Sequence, residues 1–471
     1  MANYLHGVET VDVLKGALPV RVVKSSVIGL VGIAPNGPKN TPVLVLSEQD
    51  HAQFGDQLPG FTIPQALAAI ASQGAGTVVV VNVWDEASHS TAVNNEVLTV
   101  ANGKAKTAFA PVGATALVLK SNDGNTTYVA GTDYKIDVYG NIQVLSTAIA
   151  NGDQPKATYK KLNASAVTAS VIIGSVDGTT NARTGMKCFD LVYPTWGFKP
   201  RKMIAPGYSV LNAVKAEMIS LANKYRGHAY IDAPEGITPS VAISGRGGSG
   251  TAVNFQTSDK RAMLFYPMVK AYDAATDGNV NRFYSAYFAG MRAATMDNEG
   301  PHVSSSNKEI KGIVGVERTI TASIDDANTE ANALNEVGIT TVFNAFGSGI
   351  RSWGNRSAAW PTSTAPSNFE CVQDVADILR ESVDQAMLQF IDRPINSPII
   401  DAIIGTVQNF LNTIKGRGWI VDGKISYDPA KNPSTEIALG HLTFDLEFMP
   451  PTPMERVTFN HFININLLKA L

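Results

Sequence analysis

Hydrophobic and polar residues alternate along two stretches near the C-terminal end of the chain. In the first, residues 441–448, leucine and phenylalanine occupy every second position. Prolines at positions 450, 451 and 453 interrupt the alternation, which resumes after Arg456 and runs almost to the end of the sequence. A period of two is typical of a β-strand with one buried face. The apolar face of the second predicted strand consists of Val457, Phe459, Ile463, Ile465 and Leu467.

The last predicted strand has no following segment with which it could pair. Such a strand either returns to a sheet of its own subunit or adds to the sheet of another chain. The proline-rich spacer favours the second arrangement, because prolines keep a linker semi-extended and project the strand away from what precedes it. The segment 457–471 is therefore predicted to be an arm that contacts a neighbouring copy.

Short apolar runs and amphipathic segments follow one another through most of the chain, which predicts an α/β (α+β) multidomain fold. Two amphipathic helices are expected near the C-terminus, at 370–392 with a capping box formed by Ser367 and Glu370, and at 397–416. The other predicted helices cover 48–54, 63–73, 209–224, 283–294 and 327–336, and the predicted strands cover 27–33, 43–46, 77–83, 229–232, 263–266, 339–342 and 442–448.

Between residues 87 and 181 the pattern changes to short β segments separated by turn sequences rich in Asn, Asp and Gly, including a predicted strand at 170–173. This spacing is typical of a small all-β sandwich, here inserted into the α/β unit. The predicted organisation is an α/β core with this insertion and a C-terminal α+β domain that ends in extended β arms. Its segments are an N-terminal arm at 1–19 that includes Val8 and Val11, a discontinuous α/β domain at 20–90 and 182–345, the insertion at 91–181, a C-terminal domain at 346–456, and the arm strand at 457–471.

Composition narrows the classes of function. The 471 residues are 44% hydrophobic and only 17% charged, which leaves much weakly charged surface for burial against other copies. The net charge of −3 and the absence of a run of Lys and Arg argue against a nucleic-acid partner. Two distant cysteines, Cys188 and Cys371, predict no disulfide framework, and the sequence predicts neither a signal peptide nor direct insertion into a membrane. We therefore expect a soluble product of the cytosol.

Motifs for catalysis or cofactor binding are weak. Gly245, Gly247 and Gly250 fit the dinucleotide pattern G-x-G-x-x-G, and residues 241–243 before them could form a strand. The residues after Gly250 are a poor helix start, however, and the pattern needs a helix N-terminus that faces the pyrophosphate. A surface loop is the favoured interpretation, and an α/β enzyme that uses this loop stays as the alternative. No catalytic residue, cofactor or metal site is predicted.

The sequence around residues 334–356 closely resembles the central motif of contractile tail sheath proteins. These occur in the tails of myophages, in R-type tailocins and, more distantly, in type VI secretion sheaths. The motif includes Leu334 to Thr341 and then Gly347, Gly349, Arg351, Trp353, Gly354 and Arg356. Further pieces follow the family in order, namely 6–9, 26–32 with 34–35, 289–290 with Gly300, 306–307 and 453–455. Family members usually have Ala-Arg-Thr where this chain has Asn355, Arg356 and Ser357.

The resemblance implies a sheath that polymerises as helical stacked hexameric rings around an inner tail tube and contracts to drive the tube through the target cell envelope. It implies strand exchange by the N- and C-terminal arms, and as further partners the inner tail tube protein and the baseplate and tail terminator proteins. The expected location is the virion tail or a tailocin particle, assembled in the host bacterial cytoplasm, with the inserted β domain facing outward.

The resemblance also implies that a helix of the C-terminal domain contacts the tube. The helix 397–415 is the candidate, since one face is polar and the other is continuously apolar. An ordinary packed surface helix explains the same pattern equally well. The possible tube-facing residues are Gln408, Asn412, Lys415 and Arg417.

Overall fold

A computed structural model of the chain describes residues 19–113, 117–247, 253, 255–344, 347 and 349–470. For residues 468–470 it describes the backbone alone. Val8 and Val11 of the predicted N-terminal arm lie outside these residues, as does Gly250. The strands are β1 (Ile28–Gly32), β2 (Pro42–Val45), β3 (Val78–Asn82), β4 (Ser90–Val97), β5 (Lys104–Lys106), β6 (Val118–Lys120), β7 (Thr127–Tyr128), β8 (Tyr134–Ile136), β9 (Asn141–Val144), β10 (Lys156–Leu162), β11 (Lys202–Ile204), β12 (His228–Asp232), β13 (Ala262–Phe265), β14 (Val269–Asp273), β15 (Gly278–Arg282), β16 (Gly315–Val316), β17 (Ile339–Asn344), β18 (Ile350–Trp353), β19 (Asp422–Tyr427) and β20 (Phe444–Met449).

The helices alternate with these strands, as expected for mixed α/β content. The α-helices are α1 (Ile63–Ser72), α2 (Glu86–His89), α3 (Ala169–Ile173), α4 (Val192–Trp196), α5 (Asn212–Tyr225), α6 (Pro239–Ser244), α7 (Tyr284–Asn298), α8 (Glu330–Glu336), α9 (Glu370–Met387), α10 (Ser397–Gly416) and α11 (Ser434–Ala438). Short 3-10 helices cover Glu48–Phe54, Ala164–Ala166, Gly185–Leu191, Pro366–Asn368, Pro429–Lys431 and Ile465–Ala470.

The core of the structure is an eight-stranded sheet in the order β18-β17-β13-β12-β11-β1-β3-β2. Its inner strands are parallel, and the two outermost strands, β2 and β18, are antiparallel to their neighbours. Strands buried on both faces have almost continuous apolar sequences. The four consecutive valines of β3 accordingly divide between two cores, with Val78 and Val80 in one and Val79 and Val81 in the other.

Helices cover both faces of this sheet. On one face α1 and α7 pack together, and they approach closely because Gly290 has no side chain. A Cβ atom at that position would lie 2.8 Å from the backbone of Ile70. On the other face α5 and the 3-10 helix Gly185–Leu191 bury Val214, Met218 and Phe189. The helices and strands predicted for this part of the chain are confirmed, with ends that shift by a few residues.

Two small antiparallel sheets occupy residues 90–162, in the orders β4-β10-β6-β7 and β5-β9-β8. They share one hydrophobic core that contains Leu119, Tyr134, Ile142 and Tyr159. The strand predicted at 170–173 is wrong, because these residues lie in the helix α3. Apolar runs this short do not distinguish a buried helix turn from a strand.

The C-terminal part combines α9 and α10 with the two-stranded antiparallel sheet β19–β20. Both helices were predicted, but the capping box is wrong. The residue before the first turn of α9 is Phe369, which makes no side-chain cap, and Ser367 belongs to the preceding 3-10 helix Pro366–Asn368. Asn396 caps α10 by accepting a hydrogen bond from the amide of Ile399 at 3.0 Å.

Two further segments differ from their predictions. Residues 241–243 form part of the helix α6 and not a strand, so the element that should precede a dinucleotide-binding loop is missing at Gly245. Residues 450–464 run without regular structure and end in the 3-10 helix Ile465–Ala470, where a strand was predicted from Val457 onward. Within the described part of the chain, no helix combines the length and apolar character needed to cross a bilayer.

Candidate assembly site

The helix α9 is buried on two sides. Its apolar side, with Val375 and Leu379, packs against α10. Four acidic residues spaced by four, three and four positions lie on another side of the helix, and all of them are buried against the central sheet and its helix α7. These residues are Glu370, Asp374, Asp377 and Glu381.

Asp374 is the centre of this acidic stripe. Its two carboxylate oxygens each lie 2.7 Å from the ammonium of Lys202, which comes from β11. Oδ2 also accepts hydrogen bonds from Nε and Nη2 of Arg292 in α7, at 2.9 and 2.7 Å. Burial alone would raise the pKa of Asp374, but the positive charges of Lys202 and Arg292, together with a hydrogen bond from His228, outweigh it and hold the pKa well below its usual range. Asp374 is therefore ionised and ties α9 to a strand and a helix of the core.

Of the remaining acidic residues of the stripe, Asp377 and Glu381 have cationic partners of their own, and Glu370 shares Lys202 with Asp374. Asp377 binds Arg261 through two hydrogen bonds of 2.6 and 2.9 Å, and Glu381 pairs with the buried Arg201. Glu370 accepts hydrogen bonds from Lys202 and from the hydroxyl of Tyr230. These pairs explain how a helix with so many charges can be buried, because buried charges require partners.

His228, Glu370 and Asp374 also have the donor types of a metal site. The ammonium of Lys202 already lies among them, 3.3 Å from both Nδ1 of His228 and Oε1 of Glu370. A protein cation therefore balances the carboxylates at the position where a metal ion would sit. The cluster serves to hold α9 on the sheet.

The glycine-rich motif lies along the edge strand β18. The side chain of Trp353 stacks on Phe343 of β17 with ring centroids 4.7 Å apart, and Arg351 donates to the carbonyl of Asn307. Residues 307–310 cover the outer edge of β18 through backbone hydrogen bonds. Gly347, Gly349 and Gly354 all have positive φ angles, and a Cβ at Gly354 would lie 3.0 Å from Cα of Thr340.

Arg356, the last residue of the motif, contacts the root of the C-terminal segment. Its guanidinium stacks over Trp360 and Phe369, 3.9 and 4.3 Å from the ring centroids. The same group donates to both carboxylate oxygens of Glu455 at 2.6–3.0 Å. A bidentate pair with a guanidinium fixed by two rings is geometrically specific. We call this contact the arm clip, since it fixes residue 455 to the globular body. The sequence contained both residues, but nothing in it indicated that they meet.

Beyond the arm clip the segment is exposed. Val457, Phe459, Ile465 and Leu467 expose 56–76% of their surface, and Ile463 is fully exposed. A row of large apolar side chains in water is unfavourable and marks an interaction surface.

Three of the four possible tube-facing residues lie at the edge of β19. Gln408 accepts a hydrogen bond from the amide of Ile425 and donates to the carbonyl of Gly423 and to Asn412, at 3.1–3.2 Å. Lys415 binds Asp422 at 2.8 Å, and Asp422 accepts the amide of Gly423. Arg417 lies instead beside Trp419, on the rim of a groove where residues 19–22 run along α10. The structure thus separates Arg417 from the other three residues.

The sequence of the chain is similar to those of known tail sheath proteins. Residues 181–358 match the family described as the phage tail sheath protein central domain. The tail sheath protein of Burkholderia phage BcepMu is 46% identical over 478 residues, which span 100% of this chain and 99% of the relative. The tail sheath protein of Escherichia phage P2 is 24% identical over 100% of this chain and 98% of its own.

Solved structures share the fold. The sheath complex of the PVC extracellular contractile injection system, in its contracted state, superposes with a TM-score of 0.62 at 14% identity and covers 99% of both chains. The contracted helical sheath of the anti-feeding prophage gives 0.60 at 14% identity over 98% of this chain and 100% of the other. Because its fold is that of sheath proteins and its sequence is 46% identical to a tail sheath protein over the whole chain, the protein belongs to the phage tail sheath family and is a structural subunit of a contractile tail sheath.

Proposed function

We propose that this subunit polymerises as helical stacked hexameric rings around an inner tail tube and contracts to drive the tube through the envelope of the target cell. The observation that carries the proposal is the exposed apolar row beyond the arm clip. A contact in which one patch meets a different patch of the next copy generates a ring when the rotation between copies closes, and an open helical polymer when it does not.

Strand addition is the proposed contact. Apolar and polar positions alternate in 457–460 and 463–467, with an interruption at His461 and Phe462, and the segment lies outside every sheet of the described residues. The sheet β19–β20 has only two strands, and such a sheet gains stability when further strands join it. We infer that the arm becomes a strand when it adds to the sheet of a neighbouring copy, and that the N-terminal arm with Val8 and Val11 acts in the same way.

The proposed organisation keeps the segments 20–90 with 182–345, 91–181, 346–456 and the two arms as its units, with β18 of the segment 346–456 added to the central sheet. The sheets of residues 90–162 have a core of their own, which supports an inserted unit that faces outward. Gln408, Asn412, Lys415 and Arg417 remain the proposed contacts to the tube, and the last three have exposed side chains. We propose that baseplate and tail terminator proteins bind the two ends of the sheath, and that the particle is assembled in the host bacterial cytoplasm.

Contraction needs a source of work. We propose that the extended sheath is a kinetically trapped state, which the subunits leave by moving as near-rigid bodies into an arrangement with more buried contact surface. The buried ion pairs of α9 support near-rigid movement, because they bind the C-terminal helix to the central sheet. The α/β enzyme alternative has no supporting observation in the residues described around Gly245.

The test compares two faces of the arm. Phe459→Asp with Ile463→Asp places two charges on the apolar face, whereas Asn460→Asp with Asn464→Asp places the same charges on the polar face. Burial of a phenylalanine and an isoleucine contributes about 4 kcal/mol at each contact, so the first pair should abolish tubes in electron micrographs and the second should retain them.

Circular dichroism of both variants should match the parent, since the arm contributes nothing to the described cores. If the apolar-face variant forms tubes as the parent does, the arm is not the polymer contact. If it unfolds, the segment belongs to the subunit's own core.

A further inference from the structure

Charge is unevenly distributed over the two small sheets of residues 90–162. This part of the chain contains seven lysines, five acidic residues and no arginine, whereas the rest of the chain has more acidic than basic residues. All five carboxylates accept a hydrogen bond from a backbone amide of the same part. They belong to Glu96, Asp123, Asp133, Asp137 and Asp153. The local backbone thus uses the negative charges, and most of the positive charges have no such partner.

Two lysines lie side by side on the outer face of the sheet β4-β10-β6-β7. Lys156 of β10 and Lys120 of β6 are directly opposite each other in the antiparallel register. The residues beside them, Ala157 and Leu119, point the other way and are buried in the core. Among the described residues, no acidic side chain forms an ion pair with either lysine. Like charges directly opposite each other destabilise a pair of strands, so this arrangement contributes nothing to the fold.

The outer face of the sheet β5-β9-β8 has a similar composition. Lys104 of β5 and Lys135 of β8 both lie opposite Gln143 of β9, one on each side of it. Lys106 lies two positions along β5 from Lys104 and opposite Asn141. All five side chains are exposed, and the three lysines form no ion pair with a described residue. This face therefore combines three ammonium groups with two side-chain amides.

The other two lysines of these sheets do have partners. Lys160 pairs with Glu86 of α2 at 2.8 Å, and the ammonium of Lys161 lies 3.5 Å from the ring centroid of Phe109. The contrast separates lysines that hold the two sheets on the rest of the subunit from lysines that point only to solvent. The second group is the one that can bind a partner.

The spacing of the second group fits a polymer with repeated negative charges. Adjacent strands are about 5 Å apart, so Lys120 and Lys156 are separated by about 5 Å, and Lys104 and Lys135 by about 10 Å. A lysine ammonium binds sulfate, phosphate or carboxylate groups as a point charge. The side-chain amides of Gln143 and Asn141 can both donate to and accept from sugar hydroxyls.

A nucleic acid fits these faces less well. Recognition of bases uses arginine side chains and exposed aromatic rings. The two sheets contain no arginine, and their tyrosines Tyr134 and Tyr159 are buried in the core. A glycan with charged substituents is the polyanion that matches lysines, amides and hydroxyls together.

We propose that the outer faces of these two sheets bind an anionic polysaccharide, through Lys120 and Lys156 on one face and Lys104, Lys106 and Lys135 on the other. This inference rests on the proposed function, because a polymer outside the sheath reaches these faces only if the insertion points outward. It gives the sheath a surface that adheres to charged glycans, which is a role separate from polymerisation and contraction.

Binding of fluorescent heparin, a sulfated polysaccharide, to the unassembled full-length subunit at low salt provides the test. One variant combines Lys120→Gln with Lys156→Gln, and a second combines Lys104→Gln with Lys135→Gln. The control combines Lys260→Gln with Lys311→Gln, two exposed lysines outside the insertion, and loses the same charge. Each insertion pair should weaken binding by roughly fivefold, as expected for two exposed charge contacts, and the control should bind as the parent does.

Three results would overturn the proposal. The first is no binding of heparin by the parent, and the second is an equal loss of binding in the control pair. The third is tighter binding of a DNA duplex than of heparin, because a nucleic acid would then be the favoured partner.

The stability of Lys156→Gln separates binding from folding. Because this change removes the repulsion between Lys156 and Lys120, the variant should unfold at the same urea concentration as the parent or at a higher one. A lower midpoint would contradict the inference, since the lysine would then serve the fold.

Repeating the heparin measurement on assembled tubes distinguishes this inference from the proposed function. Binding by both subunits and tubes supports the proposal. If the subunits bind heparin and the tubes do not, the proposed outward orientation of the insertion is wrong, and the binding site itself stands. If the parent forms no tubes, the proposed function is contradicted, and the result with unassembled subunits still decides the inference.

Discussion

Replacing Asp374 by Asn removes the central negative charge of the buried cluster while it preserves the size of the side chain. Lys202 and Arg292, both with fully buried side chains, would then share only Glu370 as a charged partner. Breaking a buried ion pair on one side costs about 3–5 kcal/mol, because the remaining charge has lost both water and its partner. A domain has a free energy of unfolding of only about 5–15 kcal/mol, so we expect a large loss of stability.

Asp384→Asn is the matched control on the same helix. Asp384 pairs with Arg226 at 2.7 Å, but its side chain is 60% exposed, and such surface pairs contribute about 0–1 kcal/mol. Adding Lys202→Met to Asp374→Asn should restore part of the stability, because it removes a buried cation that has lost its main partner. Urea denaturation of the unassembled proteins, followed by far-ultraviolet circular dichroism, gives the free energy of unfolding of each of the three variants relative to the parent.

The pH dependence provides a second check. The lowered pKa of Asp374 stabilises the fold at every pH above the carboxylate's unfolded value, and this contribution is lost only as pH falls through the lower folded value. The difference between parent and Asp374→Asn should therefore stay constant from pH 8 to pH 5. If Asp374→Asn destabilises the protein no more than Asp384→Asn does, the buried stripe does not hold α9 on the sheet.

Two further predictions concern the arm clip and a buried carboxyl. Glu455→Gln should speed tryptic cleavage after Arg456 by roughly fivefold, the equivalent of the about 1 kcal/mol expected for a half-exposed ion pair. Unchanged cleavage would mean that the clip does not hold the arm. Burial raises the pKa of Asp232 to about 6. The free energy of unfolding of the parent, relative to that of Asp232→Asn, should therefore fall by on the order of 3 kcal/mol as pH rises from 4 to above 6. If urea denaturation gives the same difference at both pH values, this prediction is wrong.

Local patterns predicted most of the α/β core. The apolar runs of β1 and β3 and the amphipathic period of α10 specify their structures without reference to distant residues. The short strands β14 and β15 were missed, because they carry charges and polar residues on a sheet of only three strands. The arm was predicted as a strand because its apolar and polar residues alternate over much of its length. A strand also needs a neighbouring strand to pair with, and the described residues of a single chain provide none for the arm.

The buried cluster could not be predicted from local patterns. Glu370, Asp374 and Asp377 have the spacing of a solvated helix face, and only the positions of Lys202, Arg261 and Arg292 in space show that they are covered. A signal was present in the strands themselves, since Lys202 and His228 are the first residues of strands that are buried on both faces. A cation in such a place requires an anion from elsewhere in the chain.

The arm clip and the ion pairs are mechanically in series. Arg356 forms a β-bridge with Phe369, the residue immediately before α9, and the next residue of the helix, Glu370, donates its amide to Asn355. A pull on Glu455 would thus load the start of α9 and then, through Asp374, the centre of the largest sheet. A pull on the arm would thus bypass the hairpin β19–β20 of the subunit to which the arm belongs, although this hairpin directly precedes the arm in the chain. The C-terminal arm is therefore anchored in the interior of its own subunit, where buried ion pairs would carry the load.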